Sequence, residues 1–537
     1  MKAIDLYSGV GGWTLGLRMA GIDVVKSYEW WQPAAKTNAM NNGGSDDTFD
    51  VRQLNLEELP KEIDIVVGSP PCTQFSFSNR GGSGDIEDGL VDIERFLAVV
   101  EHVQPKFWVF ENVPRVATVL RQAIGQHPAF ARYEELLDAA NIEVFDMSNF
   151  GLPQRRKRCI VGNLDLELLQ RYAEVTPTTS LGSVIESVRE GRDPIYVDPR
   201  RNTLTDIETE APLSAEETRF NRDMKAYHPV YNGMPFPEPL DRPSRTVTAT
   251  CTRVSRESLV IFDEQLDQYR RLSVRERACL QGFPVKFEFK GSSYAQKLKM
   301  IGNAIPPCFT YLIGSSMQKV CPKELVSLDK LDANSLLLEG FHIETRPDKV
   351  GRTYPTNRRF RFCVPGLRFK SGTRFELSNV DGPNDWKISF FYGDSKRIRS
   401  FELNDGELDD LLTTLPSDVE KTLAKLRYQL VRHLENLDLL SLQKHWSHQD
   451  RSGQGPFELI DALGVFVATC KEETLWADFS NSMSDQVLQT VYAKDNGQRL
   501  SEKKLRKIIV DLLIGFCVMA SFNSIYGSQK VDRLAAE

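Results

Sequence analysis

The sequence predicts an α/β fold: a parallel sheet with helices on both faces, a smaller irregular domain, and an additional α+β domain. Three observations support this. From residue 1 to about 163, short β-rich runs alternate with helical periods, which is the rhythm of a parallel sheet with crossover helices. From 164 to 294 that rhythm is lost, and Pro and Thr accumulate around 230–252. From 335 to 537 the chain is first β-rich and basic, to about 400, and then helical.

The elements of the first domain can be placed in order. Its strand runs are KAIDLY, IDVVKSYE, IDIVVGS and FWVFENV, and its helices reach Ala20, Asn41 and Phe96. A helical pattern returns after Ser293, passes through GNAIPP and stops near Cys321. We therefore assign residues 1–163 and 295–320 to one domain, 164–294 to a second, and 335–537 to a third.

One helix of the third domain carries several sequence signals. Ser417 and Glu420 have the spacing of a capping box. A single apolar face follows, formed by Val419, Leu423, Leu426, Leu430 and Leu434. Further along, the stretch 508–520 is apolar but short and carries Asp511, which favours a buried helix over a membrane span.

The composition is typical of a multidomain globular protein. A chain of 537 residues is too long for one ordinary core. Its formal charge of −7 excludes a wholly basic nucleic-acid binder, so contact with nucleic acid has to come from local basic patches. Nine scattered cysteines without a CxxC pair argue against a metal site and a disulfide scaffold, and favour a reducing cytoplasm. The N-terminal MKAIDLYSG lacks the charged start and apolar run of a signal peptide.

The first two strand ends carry features of a cofactor site. The first strand runs into the glycine-rich turn DLYSGVGG at residues 5–12, and such a turn lets the backbone approach a ligand at the carboxyl edge of a sheet. The next strand ends at Glu29 and Trp30, which could accept hydrogen bonds from a ribose and offer a flat face to an adenine. Each feature alone has an ordinary explanation, a common turn and a solvated strand end.

The next two strand ends carry a thiol and a carboxylate. Cys72 follows a rigid diproline in GSPPCTQFS, a placement that favours a nucleophile over an inert small hydrophobe. Glu111 ends the strand FWVFENV at the same predicted edge, so an acid and a nucleophile would meet there. The run QRRKR at residues 154–158 opens another β run, CIVG. Taken alone, this run reads as a solvated charge cluster.

Taken together and in this order, the motifs resemble those of the cytosine-5 DNA methyltransferase family of prokaryotic type. DLYSGVGG, PPCTQFS, ENV and QRRKR are followed by RERACLQGFP at 275–284 and GNAIPP at 302–307. The resemblance covers roughly residues 1–320. It implies a Rossmann-like methyltransferase sheet for 1–163 and 295–320 and a target-recognition domain for 164–294. Residues 335–537 form an extension that it does not cover.

The resemblance implies a covalent mechanism. Cys72 would add as a thiolate to C6 of cytosine, and Glu111 would bind N3 and the exocyclic amine. Arg156 and Arg158, two residues apart on a strand, would hold the base O2 and the nucleophile loop and favour the thiolate.

The implied cofactor is S-adenosylmethionine, with S-adenosylhomocysteine as product. The residues implied to bind it are Asp5, Tyr7, Gly9, Gly11, Gly12, Glu29, Trp30, Asp50, Val51, Pro70, Asn303 and Ala304. The implied substrate is duplex DNA whose target base is flipped out of the helix. Its predicted contacts are Ser76, Arg80, Arg245, Thr248 and Thr250.

The chain departs from the usual family pattern at three places. Thr73 stands where glutamine usually follows the nucleophile, with Gln74 next. Tyr7-Ser8 stands where Phe-Cys is commoner, and Phe49 stands where glycine often precedes the acid that contacts adenine. None of these changes removes a catalytic group.

Two other functions are compatible with the motifs: a cytosine-5 methylase of RNA and an inactive family member that only binds DNA or a partner. The long segment between QRRKR and RERACLQGFP favours DNA, and intact Cys72, Glu111 and Arg158 favour activity. We expect the enzyme to act in the cytoplasm at the nucleoid, with no membrane contact. A cognate restriction endonuclease or a defence-system component is the expected partner of the C-terminal region.

The extension contains one basic, aromatic stretch. Between 343 and 374 its basic residues are Arg346, Lys349, Arg352, Arg358, Arg359, Arg361, Arg368, Lys370 and Arg374, interleaved with Tyr354, Phe360, Phe362 and Phe369. Alternation in RRFRF predicts a strand with arginines on one face and aromatics on the other. Such a strand could have a simply solvated basic face, or it could contact DNA phosphates.

Overall fold

A computed structural model describes residues 1–75, 84–197, 204–226, 233–338, 343–347, 355–369, 373–394, 397–447, 455–472, 476, 481–494 and 502–536. They form two compact units. The N-terminal unit comprises Met1–Ala226 and Gly233–Val350, and the C-terminal unit comprises Gly351–Glu537. The segments predicted as catalytic and as target-recognition domains both lie in the N-terminal unit.

The N-terminal unit is built on a six-stranded sheet with the order β2-β1-β3-β4-β6-β5. Its strands are β1 Lys2–Leu6, β2 Asp23–Tyr28, β3 Ile65–Gly68, β4 Phe107–Asn112, β5 Asn141–Asp146 and β6 Lys157–Gly162. The helices that connect them are α1 Gly12–Met19, α2 Gln32–Asn42, α3 Ile86–Val103, α4 Arg115–Ala123 and α5 Glu134–Asp138. The predicted α/β class is therefore confirmed, and so are its first four strands.

The sheet departs from the predicted parallel arrangement at one strand. β1, β2, β3 and β4 pair in parallel, whereas β6 is antiparallel to both β4 and β5. The reason is that the chain returns from β5 to β6 through residues 147–156 alone, which is too short for a crossover helix. As a result, the first residues of β6 lie at the same sheet edge as the last residues of β4.

The regular elements in the rest of the N-terminal unit are mainly helices, joined by irregular segments. It contains α6 Leu166–Ala173, α7 Leu181–Arg189, α8 Ala215–Ala226, α9 Val274–Leu280, α10 Tyr294–Asn303, α11 Pro307–Met317, and a two-stranded sheet of β7 Val260–Asp263 and β8 Gln268–Arg271. Buried ion pairs link the irregular segments, among them Arg270 with Asp263 and Glu276, and Lys297 with Asp206. Buried charges are tolerated because each has a hydrogen-bonded partner of opposite sign.

Residues 335–338 and 343–347 belong to the N-terminal unit, although the sequence placed them in the third domain. Arg18 Nη2 donates to Leu336 O at 2.9 Å, and Leu338 N donates to Asn41 O at 2.9 Å. Thr345 N donates to an oxygen of the buried Asp206 at 2.9 Å. These contacts connect the described residues after 335 with helices α1 and α2 and with the segment around Asp206.

The C-terminal unit is α+β, first strands and then helices, as predicted. An antiparallel sheet with the order β12-β11-β10-β9 contains β9 Arg361–Arg368, β10 Arg374–Ser378, β11 Lys387–Asp394 and β12 Arg397–Phe401. The helices that follow are α12 Asp405–Thr413, α13 Ser417–Glu435, α14 Leu442–Ser447, α15 Pro456–Lys471, α16 Asn481–Lys494, α17 Glu502–Arg506 and α18 Ile509–Ala536.

The predicted helix after residue 416 is confirmed in its apolar face but not in its cap. All five predicted apolar side chains of α13 are buried. However, the helix begins at Ser417 itself, so the N-cap is Pro416 and no side chain caps it. The capping-box prediction was therefore wrong by one position in its cap residue.

The helix α18 is a core helix of the C-terminal unit. It is long and apolar enough to cross a membrane by length and composition, yet 72% of its most apolar window is buried within the protein. Phe516 of α18 packs against Phe375 of β10, with ring centroids 5.7 Å apart. A Cβ at Gly515 would lie 2.2 Å from that Phe375 ring, so the helix and the sheet are in close contact.

The predicted alternation of the basic strand is confirmed only in part. Arg359 and Arg361 are exposed while Phe360 and Phe362 are buried. Arg358, however, is buried with its guanidinium 3.5 Å from the Trp446 ring centroid.

Two further basic residues of this stretch are not part of that strand's exposed face. Arg374 is buried and ion-paired with Glu376, and Arg346 lies in the N-terminal unit. Lys349, Arg352, Tyr354 and Lys370 lie outside the described residues. The stretch 343–374 therefore divides between two units and partly builds a core.

Candidate active site

Three strand ends bring the candidate chemical groups to one edge of the N-terminal sheet. β1, β3 and β4 are neighbours and parallel. Their carboxyl ends therefore place the turn after Leu6, the segment after Gly68 and the end of β4 side by side. This is the edge where open α/β sheets bind ligands.

The segment that carries Cys72 is fixed on both sides of this residue. Before it, Asn112 Nδ2 donates to Pro70 O at 2.9 Å, and Trp13 Nε1 donates to Ser69 Oγ at 3.1 Å. After it, the fully buried Phe75 packs in the core. Asn112 and Trp13 were not predicted as functional, although Asn112 belongs to the ENV motif.

Glu111 and Arg158 form the central ion pair of the site. Arg158 Nε lies 2.7 Å from Glu111 Oε1, and both side chains are largely buried. The pair forms because β6 is antiparallel to β4, which puts the start of one strand beside the end of the other. Such a charge-assisted bond in a shielded place fixes the orientation of the carboxylate.

The charges of this site act on Cys72 in opposite directions. Burial raises the pKa of the Cys72 thiol above its ordinary value, and the Glu111 carboxylate raises it further. The guanidinium groups of Arg158 and Arg156 lower that pKa. The free protein therefore holds mainly a thiol, and the arginines supply the field that favours its thiolate.

Arg156 is buried and binds backbone carbonyls. Its Nη2 donates to Gly302 O at 3.0 Å and to Ala304 O at 2.9 Å, and its Nη1 donates to Val247 O at 3.4 Å. Burial and the neighbouring Arg158 charge lower the pKa of this guanidinium. Arg156 thus joins three separated motifs, whereas Arg158 contacts the Glu111 carboxylate.

Two buried glutamines extend that junction. Gln154 Nε2 donates to Gln281 Oε1 at 2.8 Å, and Gln154 Oε1 accepts from Val247 N at 2.7 Å. Gln281 Nε2 in turn donates to Ala304 O. Gln281 lies in the LQGFP part of a motif noted in the sequence, but its role depends on a partner 23 residues away that spacing does not reveal.

The glycine-rich turn presents one open position. The backbone at Gly9 is left-handed, and a Cβ there would meet no atom within 4 Å. A Cβ at Gly11 would lie 2.1 Å from Asn38 Oδ1, and a Cβ at Gly12 would lie 2.1 Å from Ile305 O. No described residue therefore fills the space at Gly9, while Gly11 and Gly12 permit close packing of the turn on the protein.

Glu29, which follows β2, is hydrogen-bonded to this turn. Glu29 Oε2 accepts from Gly9 N at 2.8 Å, and Glu29 Oε1 accepts from Trp31 N at 2.8 Å. Burial raises the pKa of Glu29. Trp30 beside it is 66% exposed, so its ring is available to a ligand.

The other predicted ligand contacts differ in exposure. Asp50 is exposed and caps a short 3-10 turn by accepting from Arg52 N at 3.0 Å, while Val51 is buried. Asn303 is exposed at the end of α10, and Ala304 is buried.

Tyr7 uses its side chain within the protein. Its ring is buried and its hydroxyl donates to Asp92 Oδ1 at 3.2 Å. Tyr7 can therefore contribute its backbone to the ligand site, but not its ring.

Two buried polar atoms at the same edge lack a partner. Asp5 Oδ1 and Ser8 Oγ have no hydrogen bond among the described residues, although both side chains are buried. The other oxygen of Asp5 accepts from Thr14 Oγ1 at 2.8 Å. Burial raises the pKa of Asp5 to about 8. Buried polar atoms are normally paired, so these two indicate a ligand that forms hydrogen bonds with them.

The family model of the C-5 cytosine-specific DNA methylases matches residues 1–319 of this chain, well over half of its length. The chain belongs to this family. The protein is thus a DNA cytosine-5 methyltransferase, and its C-terminal unit is an extension beyond the matched region.

Known methylases resemble the same part of the chain. The type II methyltransferase M.FnuDI of Fusobacterium nucleatum is 25% identical over 344 residues, which cover 59% of this chain and 94% of that protein. M.AplI of Arthrospira platensis is 28% identical over 322 residues, which cover 59% and 86%. The crystal structure of the Schizosaccharomyces pombe Dnmt2 methyltransferase is 16% identical, with a TM-score of 0.42, and covers 60% of this chain and 99% of that one.

The residues predicted to read DNA divide into three groups in this methylase. Arg245 is engaged inside the protein, because its Nε lies 2.8 Å from Glu238 Oε2 and its Nη2 donates to Ser258 O at 3.3 Å. Thr248 is half-buried and Thr250 is exposed, shortly after Ser244, which forms an isolated β-bridge with Gln154. Ser76 and Arg80 lie outside the described residues.

Proposed function

We propose that this methylase transfers a methyl group from S-adenosylmethionine to C5 of a cytosine flipped out of duplex DNA, through a covalent bond between Cys72 and C6. The observation that carries the proposal is the junction of Cys72 with the Glu111–Arg158 pair at the ligand edge of the sheet. A nucleophile, an acid and a cation meet there, which is the set that nucleophilic addition to a pyrimidine ring requires.

Addition comes first, because C5 of cytosine is a poor nucleophile. The Cys72 thiolate forms a bond to C6, and the electrons of the C5–C6 double bond become available at C5. Glu111 binds N3 and the exocyclic amine and stabilises the ring as charge develops there. Arg158 keeps the Glu111 carboxylate in place and favours the thiolate.

The residues at the sheet edge suit S-adenosylmethionine. Asp5 Oδ1 and Ser8 Oγ are buried polar atoms without partners among the described residues, and they fit the polar methionine end of the cofactor. The open position at Gly9, the Glu29 carboxylate and the exposed Trp30 ring fit the ribose and adenine. The cofactor supplies an electrophilic methyl group when bound.

The final step restores the aromatic ring. A base or a water molecule removes the C5 proton, the electrons reform the C5–C6 double bond, and Cys72 leaves as the thiolate. Burial raises the pKa of Cys72, so the released thiolate readily takes up a proton and the free thiol returns.

Base flipping is required because a cytosine inside a duplex cannot reach Cys72. It costs a few kcal/mol, and contacts of Lys and Arg with phosphates offset that cost. The net charge of −7 means that these contacts come from local groups and not from the protein as a whole. Thr248 and Thr250, next to the Gln154 junction, are the proposed reading element.

The biological setting that we propose is restriction and modification. The matched relatives are type II methyltransferases. A cognate restriction endonuclease or another defence component would bind the C-terminal unit, and the enzyme would act in the cytoplasm at the nucleoid. Copurification of the full chain with proteins of its host, compared with a chain ending at residue 350, tests the partner.

Bisulfite sequencing of DNA from cells expressing the protein tests the function and gives the recognised sequence. We expect full protection of cytosine in one sequence context, and no protection in cells expressing Cys72→Ala. Transfer of a labelled methyl group to duplex DNA and to structured RNA separates the two substrates. Labelling of RNA alone, with no protected context in DNA, would contradict the proposal.

A further inference from the structure

Gln74, which stands one position after the usual family glutamine, is hydrogen-bonded to helix α3. Its Nε2 donates to Asp88 Oδ2 at 3.0 Å, and its Oε1 accepts from Asp85 N at 2.9 Å. The chain approaches closely here, since a Cβ at Gly84 would lie 2.2 Å from Gln74 O. Gln74 therefore fixes the segment after Cys72 to the first turn of α3.

Asp88 is shared with Arg52. Arg52 Nη1 donates to Asp88 Oδ1 at 2.9 Å, so the two oxygens of Asp88 hold Gln74 on one side and Arg52 on the other. Arg52 lies in the 3-10 turn that Asp50 caps, where Asp50 Oδ1 accepts from Arg52 N at 3.0 Å. This turn contains the residues predicted to contact the adenine.

Arg52 also reaches the glycine-rich turn. Its Nε and Nη2 donate to the two oxygens of Asp92, each at 2.7 Å. The same Asp92 accepts from the hydroxyl of Tyr7, the residue that follows β1. A continuous chain of charge-assisted hydrogen bonds thus runs from Gln74 through Arg52 to Tyr7.

The two halves of this chain differ in strength. The Asp92 side chain is only 6% exposed and is held by a bidentate pair, which is the strong geometry. The side chains of Asp88 and Arg52 are 43% and 38% exposed, and such pairs contribute little because water screens them. Arg52 is therefore fixed on its cofactor side, while its bond towards Gln74 can break and form again.

We propose that Arg52 is a positioning residue that couples cofactor binding to the placement of Cys72. Because Asp92 and the Asp50 turn hold Arg52 on its cofactor side, a cofactor that shifts the Asp50 turn and the Tyr7 turn moves Arg52 with them. Arg52 then holds Asp88, and Asp88 holds Gln74 and the segment that carries the nucleophile. The inference rests on the proposed function, because it concerns the same cofactor and target base. Coupling of this kind is reciprocal, so DNA must tighten cofactor binding by the same factor.

The test measures the Kd of S-adenosylhomocysteine by calorimetry, alone and with a duplex containing the sequence found by bisulfite sequencing. In the wild type we expect the duplex to lower the Kd of S-adenosylhomocysteine by about 5- to 150-fold, the usual range of such coupling. Without DNA, Gln74→Leu should bind S-adenosylhomocysteine with a Kd within about twofold of the wild-type value, since Gln74 lies outside the cofactor turns. With the duplex present, this variant should lose most of the decrease in Kd. Arg52→Gln should lose the tightening as well.

A double-variant cycle distinguishes coupling from loss of structure. Arg52→Gln combined with Gln74→Leu should lose no more tightening than either variant alone, since both interrupt one path. The matched control is Arg132→Gln, which removes an exposed ion pair with Glu101. Glu101 lies on α3, as Asp88 and Asp92 do, and this variant should leave the effect of the duplex on the Kd unchanged. Asp88→Asn replaces Arg52→Gln if the latter fails to fold.

Three results would overturn the inference: no tightening in the wild type, full tightening in Gln74→Leu, or an equal loss in Arg132→Gln. Methylation of the duplex by the wild type is measured in the same preparations. If methylation occurs and the coupling result is negative, only the role of Arg52 is wrong. If the wild type does not methylate the duplex, the proposed function itself fails.

Discussion

Arg158 Nε and Glu111 Oε1 lie 2.7 Å apart, on two antiparallel strands that meet at the ligand edge of the sheet. The pair holds a carboxylate where the proposed cytosine must bind. Its two charges shift the pKa of Cys72 in opposite directions. Its geometry leads to the first two predictions.

Glu111→Gln should slow the chemical step much more than it weakens DNA binding. The carboxylate contact strengthens as the ring is attacked, so its loss affects the transition state most. Single-turnover rates and DNA affinity measured on the same variant give the comparison. We expect a rate loss of roughly 100-fold or more, the usual contribution of a positioned acid. Equal losses in rate and affinity would make Glu111 a positioning residue instead.

The reactivity of Cys72 should respond to its two charged neighbours in opposite directions. Glu111→Gln removes a charge that raises the thiol pKa, and Arg158→Gln removes one that lowers it. At a fixed pH below that pKa, alkylation by iodoacetamide should therefore be faster in Glu111→Gln and slower in Arg158→Gln than in the wild type. Mass spectrometry of the Cys72 peptide over a range of pH measures both rates. A change in the same direction in both variants contradicts the assigned charges.

Asp5 should make the free energy of unfolding depend on pH. Its folded pKa of about 8 lies above an unfolded value of about 3.9, so the folded protein binds more protons between those values. The stabilising contribution is complete below the unfolded pKa and is lost as the pH rises through the folded one. Asp5→Asn should flatten this dependence and weaken binding of S-adenosylhomocysteine. Denaturant titrations from pH 5 to 9 test it, with the exposed Asp46→Asn as a control that should change neither quantity.

The end of the methylase can be located by two truncations. A chain ending at residue 350 keeps the contacts of Leu336, Leu338 and Thr345, so it should fold and retain methylation. A chain ending at residue 334 loses them and should unfold at a lower temperature. Thermal unfolding of both, with activity and the salt dependence of DNA binding, makes the comparison. Equal melting temperatures would contradict the role of residues 335–338 and 343–347, and an inactive longer chain would show that the C-terminal unit completes the enzyme.

Arg245→Gln should destabilise the protein without changing the sequence that it methylates. Its guanidinium donates hydrogen bonds to Glu238 and to Ser258 O inside the protein. Breaking the ion pair leaves the buried Glu238 carboxylate without its cation. Replacement of Thr250, which is exposed, should change activity or context and leave stability intact. Bisulfite sequencing and melting temperatures of both variants separate these roles, and an altered context in Arg245→Gln would restore it as a reading residue.

The sequence predicted the parts of the site that follow directly from strand ends. Cys72 follows one β run and Glu111 lies at the end of the next, and parallel neighbours bring such ends together, so their meeting could be predicted from the pattern. Arg158 could not be placed in this way, because it begins its strand and reaches the same edge only through an antiparallel turn. The family motif supplied that residue.

Long-range packing accounts for the remaining differences. Arg156 and Gln281 bind carbonyls of segments far apart in the chain, and no local spacing encodes those partners. The basic stretch after residue 343 was counted as one patch, but burial of Arg358 against Trp446 and of Arg374 beside Glu376 depends on the tertiary fold.

Covalent trapping tests the central claim most directly. A duplex with 5-fluorocytosine at the methylated position should capture the protein in the presence of S-adenosylmethionine, because fluorine at C5 cannot leave as a proton does. We predict a stable adduct that maps to the Cys72 peptide and is absent from Cys72→Ala, a variant that should still bind the cofactor and the duplex. No adduct with the wild type, or an adduct that persists in Cys72→Ala, would contradict the covalent mechanism.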